Sequence, residues 1–505
     1  MLHHVMIGLA EVCQWQNFVM MTVATIVGLL LGVMPGLGPL AAIALLIPFT
    51  FTMHPLPAIL ALASISAAAN CSGAFTSILL NVPGEPTCAA TCFDGYPMSQ
   101  NGRATVAIGL SIGAAFFGDV VGIIAVIAIV QPVSNFALAF GPPENFALAV
   151  IGVSFIASLS GTSFFKGMIM GVFGLWLSCI GIDAVNGEPR FTFGLIQLQD
   201  GIHLVPVMTG IFAVTEIIAW IQQRGTISKV GRLDGSVWKG VFTTFRHPVA
   251  LVRSTLVGGV LGVIPGIGGV IASFLAYEVE KKSSSTPERF GKGAPEGVIA
   301  PEAANHSAFS ASLAPALTLG IPGGATSALL IVALTVQGIR PGPMLFTTHT
   351  NLVFGFLVGL IFGAAIFMLI GTIFARPLAK ITLVRAELLA PIFLIISFAG
   401  VYAQDQQFSD IVIAIVFGLI GCVAKDLDFP VVPLVLGLVL GRLLETSFTQ
   451  SLEISGGDWT IFFTRPLSGF LLLTAAGLMG LTLYQSLRAK KKRLIVEANS
   501  AVGSA

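Results

Sequence analysis

Charge is what this sequence has least of. Of 505 residues only 25 are Lys or Arg and 24 are Asp or Glu, 10 % together, against 55 % hydrophobic residues. A soluble domain carries roughly 25 % charged residues, and so few charges cannot coat a water-facing surface around so much apolar mass. Mean hydropathy is +0.93, which points to a chain that crosses a membrane many times. A net charge of +1 gives no sign of a nucleic-acid partner.

Other absences narrow the function. No Lys or Arg precedes Arg103, so the basic n-region of a cleavable signal is missing and the first apolar segment is expected to stay as a helix. The six cysteines (Cys13, Cys71, Cys88, Cys92, Cys179, Cys422) form no disulfide or metal framework. Cys88 and Cys92 stand where one helix would bring them to one face, and without further ligand types beside them they read as small packing residues. There is no Walker A sequence, no HExxH and no GxSxG, and "GKGAPEG" (291–297) fails the GxGxxG pattern. An enzymatic reading therefore lacks a nucleophile or metal set, and no cofactor is expected beyond a coupling ion.

Apolar runs fill the chain instead. Spans of roughly 20 residues lie near 18–34, 104–130, 144–160, 167–183, 203–222, 351–375, 386–403, 408–423, 430–444 and 464–486. Regions 37–98 and 251–336 are equally apolar but chopped by Pro and Gly. Basic loops mark the cytoplasmic side. Arg224, Lys229, Arg232, Lys239 and Arg246 face only Asp234 in the longest polar loop, and the tail carries Arg488, Lys490, Lys491, Lys492 and Arg493. The loops 404–410 and 445–460 lack Lys and Arg and are expected outside. The alternation places the N-terminus outside and the C-terminus in the cytoplasm.

The sequence also repeats itself. "VGLLLGVMPGLGP" (27–39) aligns with "VGGVLGVIPGIGG" (257–269) at an offset of 230, with 8 of 13 positions identical. "AANCS" (68–72) pairs with "AANHS" (303–307) at 235, and "PGEPT" (83–87) with "PGGAT" (322–326) at 239. On the charge map the first copy starts outside and the second inside. The fold class expected is therefore an all-α polytopic membrane protein with two inverted-topology repeats, broken or re-entrant helices and one extra C-terminal helix. The divisions are an N-terminal segment 1–16, repeat one 17–222, a basic cytoplasmic loop 223–246, repeat two 247–446, an additional transmembrane helix 447–487 and a basic cytoplasmic tail 488–505.

Inverted repeats with broken helices are the signature of secondary transporters, with the site near the bilayer midplane. A half-helix N-terminus attracts an anion, unwound carbonyls can hold Na⁺, and glycine lets a ligand approach the backbone. The candidate residues are Pro35, Gly36, Leu37 and Gly38 with Pro265, Gly266, Ile267 and Gly268 at the first breaks. Pro83, Gly84 and Thr87 with Pro322, Gly323 and Thr326 stand at the second breaks, and Asn70, Ser72, Asn305 and Ser307 between them. The spacing Gly-x-x-x-Gly (28 to 32, 258 to 262) also serves plain helix packing. Glu85 has Gly324 as its counterpart, which excludes a symmetric role. Asp119 and Glu216 are intramembrane candidates for a proton or cation. His306, opposite Cys71 in the alignment, reads as a satisfied polar residue between helices, and 277–297 as a solvated loop.

At these breaks the sequence resembles the large membrane subunit of the tripartite tricarboxylate transporters. The likeness rests on "GLLLGVMPGLGPLAAIALLIPFTF" (28–51), "GGVLGVIPGIGGVIASFLAYEVEK" (258–281), "AANCSGAFTSILLNVPGEPT" (68–87) and "APEAANHSAF" with "LGIPGGATSALL" within 300–330, and it extends over essentially the whole chain. It implies the pore of a bacterial inner-membrane importer driven by an ion gradient, Na⁺ as a rule with H⁺ the alternative. It further implies a small membrane subunit of about four helices, a periplasmic solute-binding protein and a carboxylate cargo such as citrate. Competing readings are a single-component anion/Na⁺ symporter, another binding-protein-dependent importer, a passive channel and an intramembrane enzyme.

Overall fold

The computed structural model describes residues 2–34, 38–137, 140–158, 164–183, 187–222, 235–264, 268–381 and 386–480. The basic loop residues Arg224, Lys229, Arg232 and Asp234, and the basic tail, lie outside the described residues. In chain order the helices are α1 (Leu2–Val12), α2 (Trp15–Gly32), α3 (Pro39–Leu46), α4 (Pro55–Leu80), α5 (Cys92–Met98), α6 (Ala104–Ala137), α7 (Pro142–Ser158) and α8 (Phe164–Ser178). They continue with α9 (Leu204–Met208), α10 (Thr215–Gln222), α11 (Val237–Thr244), α12 (Pro248–Val263), α13 (Gly268–Ser283), α14 (Glu296–Leu319), α15 (Ala325–Val336) and α16 (Leu345–Thr348). Then come α17 (Thr350–Ile381), α18 (Ala386–Asp405), α19 (Phe408–Asp426), α20 (Val432–Ser455) and α21 (Ile461–Thr464). Among the described residues the only strands are the two-residue pair Gly181–Ile182 and Pro189–Arg190. Among the described residues six helical stretches are long and apolar enough to cross a membrane, Pro55–Leu80 and Thr350–Lys380 among them. The protein is an all-helical, polytopic membrane protein.

Contacts divide the chain into two compact units, Met1–Leu138 with Val205–Cys422, and Ala139–Leu204 with Val423–Ala505. The second unit is built on α7, α8 and α20. Gly174 lets α8 close on α20, since a β-carbon there would lie 2.0 Å from the Leu434 carbonyl oxygen. In the same unit Arg465 Nη1 lies 3.1 Å from Glu144 Oε2, beside the start of α7.

In the first unit the helices that flank the sequence breaks are arranged as two hairpins. A β-carbon on Gly28 would lie 2.5 Å from the Ile65 carbonyl oxygen, and one on Gly32 would lie 2.1 Å from that of Ala69. Advancing along α2 therefore advances along α4, so the two run parallel, and α3 must carry the chain back between them. The second hairpin repeats this arrangement. Gly258 abuts the Ala304 carbonyl at 2.1 Å and Gly262 that of Ala308 at 2.3 Å, so α12 and α14 are parallel and α13 returns. The Gly-x-x-x-Gly pairs are thus helix-packing devices in both places.

The helices that carry the Asn-x-Ser sequences oppose each other. Ile78, near the end of α4, packs on Gly95, whose neighbour Asp94 packs on Gly297 at the start of α14. Farther along, Asn70 meets Asn305, so α4 and α14 are antiparallel. Each is flanked by a partner from the other half of the chain. Gly355, Gly359 and Gly363 of α17 track Leu56, Leu60 and Ser64 of α4, while Gly118 and Gly122 of α6 track Ala303 and Ser307 of α14. Even α1 and α11 match: Gly8 of α1 touches Phe354 of α17, and Gly240 of α11 touches Val106 of α6.

Two expectations are corrected here. Residues 445–460 are not an irregular loop, because α20 continues to Ser455. No Pro or Gly interrupts the chain between Gly441 and Gly456, and the helix stops where Gly456 takes φ +65°. Residues 277–297 are a solvated loop only in part, since residues 284–292 are mostly exposed while both ends of the segment are built into the fold. The segment up to Ser283 belongs to α13, and Tyr277, Phe290 and Ala294 are buried in one cluster with Ala90. Of its charges Glu280 is paired, Arg253 Nη1 standing 3.3 Å from Glu280 Oε2, while Lys282, Glu288, Arg289 and Lys292 are exposed.

Candidate functional site

The second break of each hairpin begins at the end of a long buried helix. Residue Asn81 ends α4 with φ +57°, and Gly320, its aligned position, ends α14 with φ +70°. Asn and Gly are the residues that accept this left-handed geometry at low cost. Next, Gly84 folds back onto Gly73, and Gly323 onto Ser312, each with a β-carbon position 2.7 Å from its neighbour. Both contacts reach eleven positions upstream, so the two turns are built alike. Beyond them the hairpins differ: Ala325 opens the helix α15, whereas Pro86 starts only a 3₁₀ turn, Pro86–Cys88. Cys88 lies in that turn and Cys92 opens α5, so the two do not share a helix.

Of the first-break candidates, Pro35, Gly36, Leu37, Pro265, Gly266 and Ile267 lie outside the described residues. Their flanks do not. A β-carbon on Gly38 would stand 3.5 Å from Glu85 Cβ, and one on Gly324 would stand 3.9 Å from Gly268 Cα. Those two pairs occupy matching alignment positions, so within each hairpin the first break reaches the second. Between hairpins, α3 packs on α15 and α13 on the 3₁₀ turn Pro86–Cys88. The N-termini of α3, α13 and α15 therefore gather in one region.

Asn70 and Asn305 stand at its centre, both buried. Asn305 Nδ2 donates to Asn70 Oδ1 at 2.7 Å and to Thr87 Oγ1 at 3.1 Å. The Thr87 hydroxyl in turn donates to Glu85 Oε1 at 2.6 Å. The chain of bonds runs from one hairpin to the other and ends on a carboxylate. Ser72 and Ser307 have their hydroxyls committed to backbone, to the Ala69 carbonyl at 3.3 Å and the Thr255 carbonyl at 2.8 Å. Pro83 is exposed, Pro322 and Gly323 are buried, and Thr326 is half-buried at the start of α15.

Asp119 and His306 stand out in the sequence but their pairing does not, and Glu302 and Asp94 are not among its candidates. Asp119 Oδ2 lies 2.8 Å from His306 Nδ1, and Ser310 donates to Asp119 Oδ1 at 2.9 Å. Glu302 accepts from Thr91 and is buried one turn before His306. The spacing in "APEAANHS" puts Glu302 and His306 on one face of a helix, and that was the available signal. His306 is not fully satisfied, since its Nε2 has no hydrogen-bond partner. Glu216, the other intramembrane candidate, is half-buried in α10. Asp94, absent from the candidates, accepts from the backbone N–H of Gly293 and Ala294 at 2.7 Å each, from Gly291 at 3.1 Å and from the Tyr277 hydroxyl at 2.9 Å.

Residues 18–436 match the tripartite tricarboxylate transporter TctA family. The chain belongs to this family. It is similar to a protein of Agrobacterium vitis described as "Uncharacterized 52.8 kDa protein in TAR-I ttuC' 3'region", 36 % identical over 483 residues that cover 95 % of this chain and 96 % of the relative. A second protein of Agrobacterium vitis, "Uncharacterized protein in TAR-II ttuC' 3'region", is 37 % identical over 240 residues, 48 % of this chain and 99 % of its own length. No solved structure matches. As a TctA-family member this is a transport protein, and the matched region contains both hairpins and every candidate residue named above.

Proposed function

We propose that this chain is the translocation subunit of a carboxylate importer in a bacterial inner membrane, working by alternating access between inverted repeats. The N-terminus lies outside and the C-terminus in the cytoplasm. Substrate arrives from a periplasmic solute-binding protein, and a small membrane subunit of about four helices completes the complex. An ion gradient, Na⁺ in the first instance, drives the cycle, and a tricarboxylate such as citrate is the cargo. The observation that carries the reading is the Asn70–Asn305 hydrogen bond. Two aligned residues on antiparallel helices bond to each other, as happens where an approximate two-fold axis in the membrane plane passes between repeats. Helix N-termini gathered around that point suit carboxylates, which draw on free N–H groups and the helix dipole.

The deciding experiment is uptake into proteoliposomes that contain the complete membrane complex, with binding protein outside and labelled citrate. Concentrative uptake under an imposed Na⁺ gradient, dependent on the binding protein, is the expected result. Uptake without the binding protein would favour a single-component symporter, and downhill flux with no concentration would favour a channel. Asn305→Ala is expected to lower uptake about tenfold or more, since the lost bonds are each worth about 1–3 kcal/mol when a buried partner is left unpaired. Gly36→Leu and Gly266→Leu are expected to abolish uptake with membrane insertion retained. Normal transport by both leucine variants would remove the backbone from the site.

A further inference from the structure

A second polar group lies in the same unit, close to the carboxylate on which the hydrogen-bond chain of Asn305 ends. Asp119 from α6 meets His306 and Ser310 from α14, and Glu302 stands one turn earlier on α14. All three ionisable residues are almost completely buried, His306 to 0 % exposure and Asp119 and Glu302 to 1 % each. Cys71 of α4, Glu85 and Cys88 after α4, and Cys92 at the start of α5 lie within electrostatic reach of Glu302, His306 or both. From α17 the group meets the ring of Phe367, centroid to centroid 5.8 Å from His306. The arginine ion pairs of the described residues join Arg190, Arg253 and Arg465 to other carboxylates, none of them in this group.

The charges do not balance as they stand. Asp119, Glu302 and the nearby Glu85 offer three carboxylates to one imidazole. A buried net charge is costly inside a membrane protein, and the group is neutral only when it holds added protons or cations. Two of its atoms are open to receive them: Glu302 Oε2 and His306 Nε2 are buried and have no hydrogen-bond partner. Among the described residues no three His, Cys, Asp or Glu side chains are arranged to hold a metal ion. A proton needs only one lone pair. With Nδ1–H turned to Asp119, His306 presents a lone pair at Nε2, the arrangement in which a carboxylate supports an imidazole base.

We propose that Asp119, Glu302 and His306 form a proton-binding site that is loaded and emptied during the transport cycle, so that a proton travels with the carboxylate. The proton comes from water on one side of the membrane, binds at His306 Nε2 or Glu302 Oε2, and leaves to water on the other. No bond other than these N–H or O–H bonds forms or breaks. The inference rests on the transporter reading above and assigns it H⁺ as a coupling ion.

Two measurements test it. Infrared difference spectra of the purified complex, taken across neutral pH without substrate, are expected to show a protonated-carboxyl band that disappears in Glu302→Gln. Absence of such a band, or its persistence in both Glu302→Gln and Asp119→Asn, overturns the site. In proteoliposomes with Na⁺ equal on both sides, an inside-alkaline step of one pH unit is expected to concentrate labelled citrate up to about tenfold for each proton carried. In Glu302→Gln and His306→Gln the ratio of this accumulation to citrate exchange without a gradient is expected to fall about tenfold, to the level where the pH step no longer concentrates solute. A wild-type complex that answers only to Na⁺, or variants that keep the wild-type ratio, overturns the proton's place in the cycle. Complete absence of citrate exchange and of uptake under every gradient counts against the substrate reading alone, and the infrared titration then still decides the site.

Discussion

Gly32→Ala and Gly262→Ala are expected to destabilise the protein strongly, and to stop transport with it. The added carbon at Gly32 would stand 2.1 Å from the Ala69 carbonyl oxygen and 2.3 Å from Ser72 Oγ. At Gly262 it would stand 2.3 Å from the Ala308 carbonyl oxygen and 2.6 Å from Ala308 Cα. These obstacles are backbone atoms of a long buried helix, which cannot swing aside as a side-chain tip would. Overpacking a core costs about 1–3 kcal/mol where neighbours can adjust, and here whole helices must part. Thermal unfolding in detergent, followed by loss of the monodisperse peak, is the measurement. As a control, Gly477→Ala adds a methyl in the second unit at a position with nothing within 4 Å, and it is expected to unfold at the wild-type temperature. Wild-type unfolding by Gly32→Ala and Gly262→Ala would mean that the hairpins are not packed this tightly.

Asp94→Ala carries the second large effect. The carboxylate is fully buried and accepts three backbone N–H groups and one phenol. Its removal leaves the buried donors of Gly293, Ala294 and Tyr277 without their acceptor, while the exposed Gly291 can turn to water. Breaking a buried charged network by deleting one partner costs about 3–5 kcal/mol, against a total stability of about 5–15 kcal/mol for typical folded proteins. The loss is local in origin, because Asp94 pins residues 291–294, which join α13 to α14. Limited proteolysis is therefore expected to cut Asp94→Ala within 284–295 before any other described loop. Tyr277→Phe removes one donor and keeps the ring, and it should cost only about 1 kcal/mol. Equal damage from both variants would show that the ring packing, rather than the carboxylate, holds the segment.

Much of the membrane architecture was legible in the residue order. Helices occupy most of the described part of each of the ten apolar spans, although α8 stops at Ser178 and the end of the span 167–183 is the strand Gly181–Ile182. The breaks were visible because Pro and Gly interrupt runs that otherwise favour helix, and the alignment placed them in matched pairs. Less visible was how far a helix runs past its apolar part. Residues 445–455 are polar yet helical, since a helix needs only the absence of a stop, and the stop comes at Gly456. Residues 277–297 misled in part for another reason: most of their charges are exposed, but Tyr277 and the backbone of 291–294 are tied to Asp94, and composition does not reveal a partner nearly two hundred positions away. The link from Asp94 to Gly293 is of that kind.

The sequence by itself determined that the chain is a membrane protein, that two stretches of it align and where Pro and Gly interrupt each. Those are consequences of composition and of local backbone chemistry, which every window of the chain carries with it. Only the tertiary structure decided which residues the interruptions bring together. Asn70 and Asn305 stand 235 positions apart, and their bond depends on two helices crossing in opposite directions. Asp119 and His306 were each visible in the sequence, one as a candidate and the other as a packed residue, but their pairing at 2.8 Å was not. A hydrogen bond or a shared proton acts over a few ångströms, and no local pattern records a neighbour that folding alone brings near.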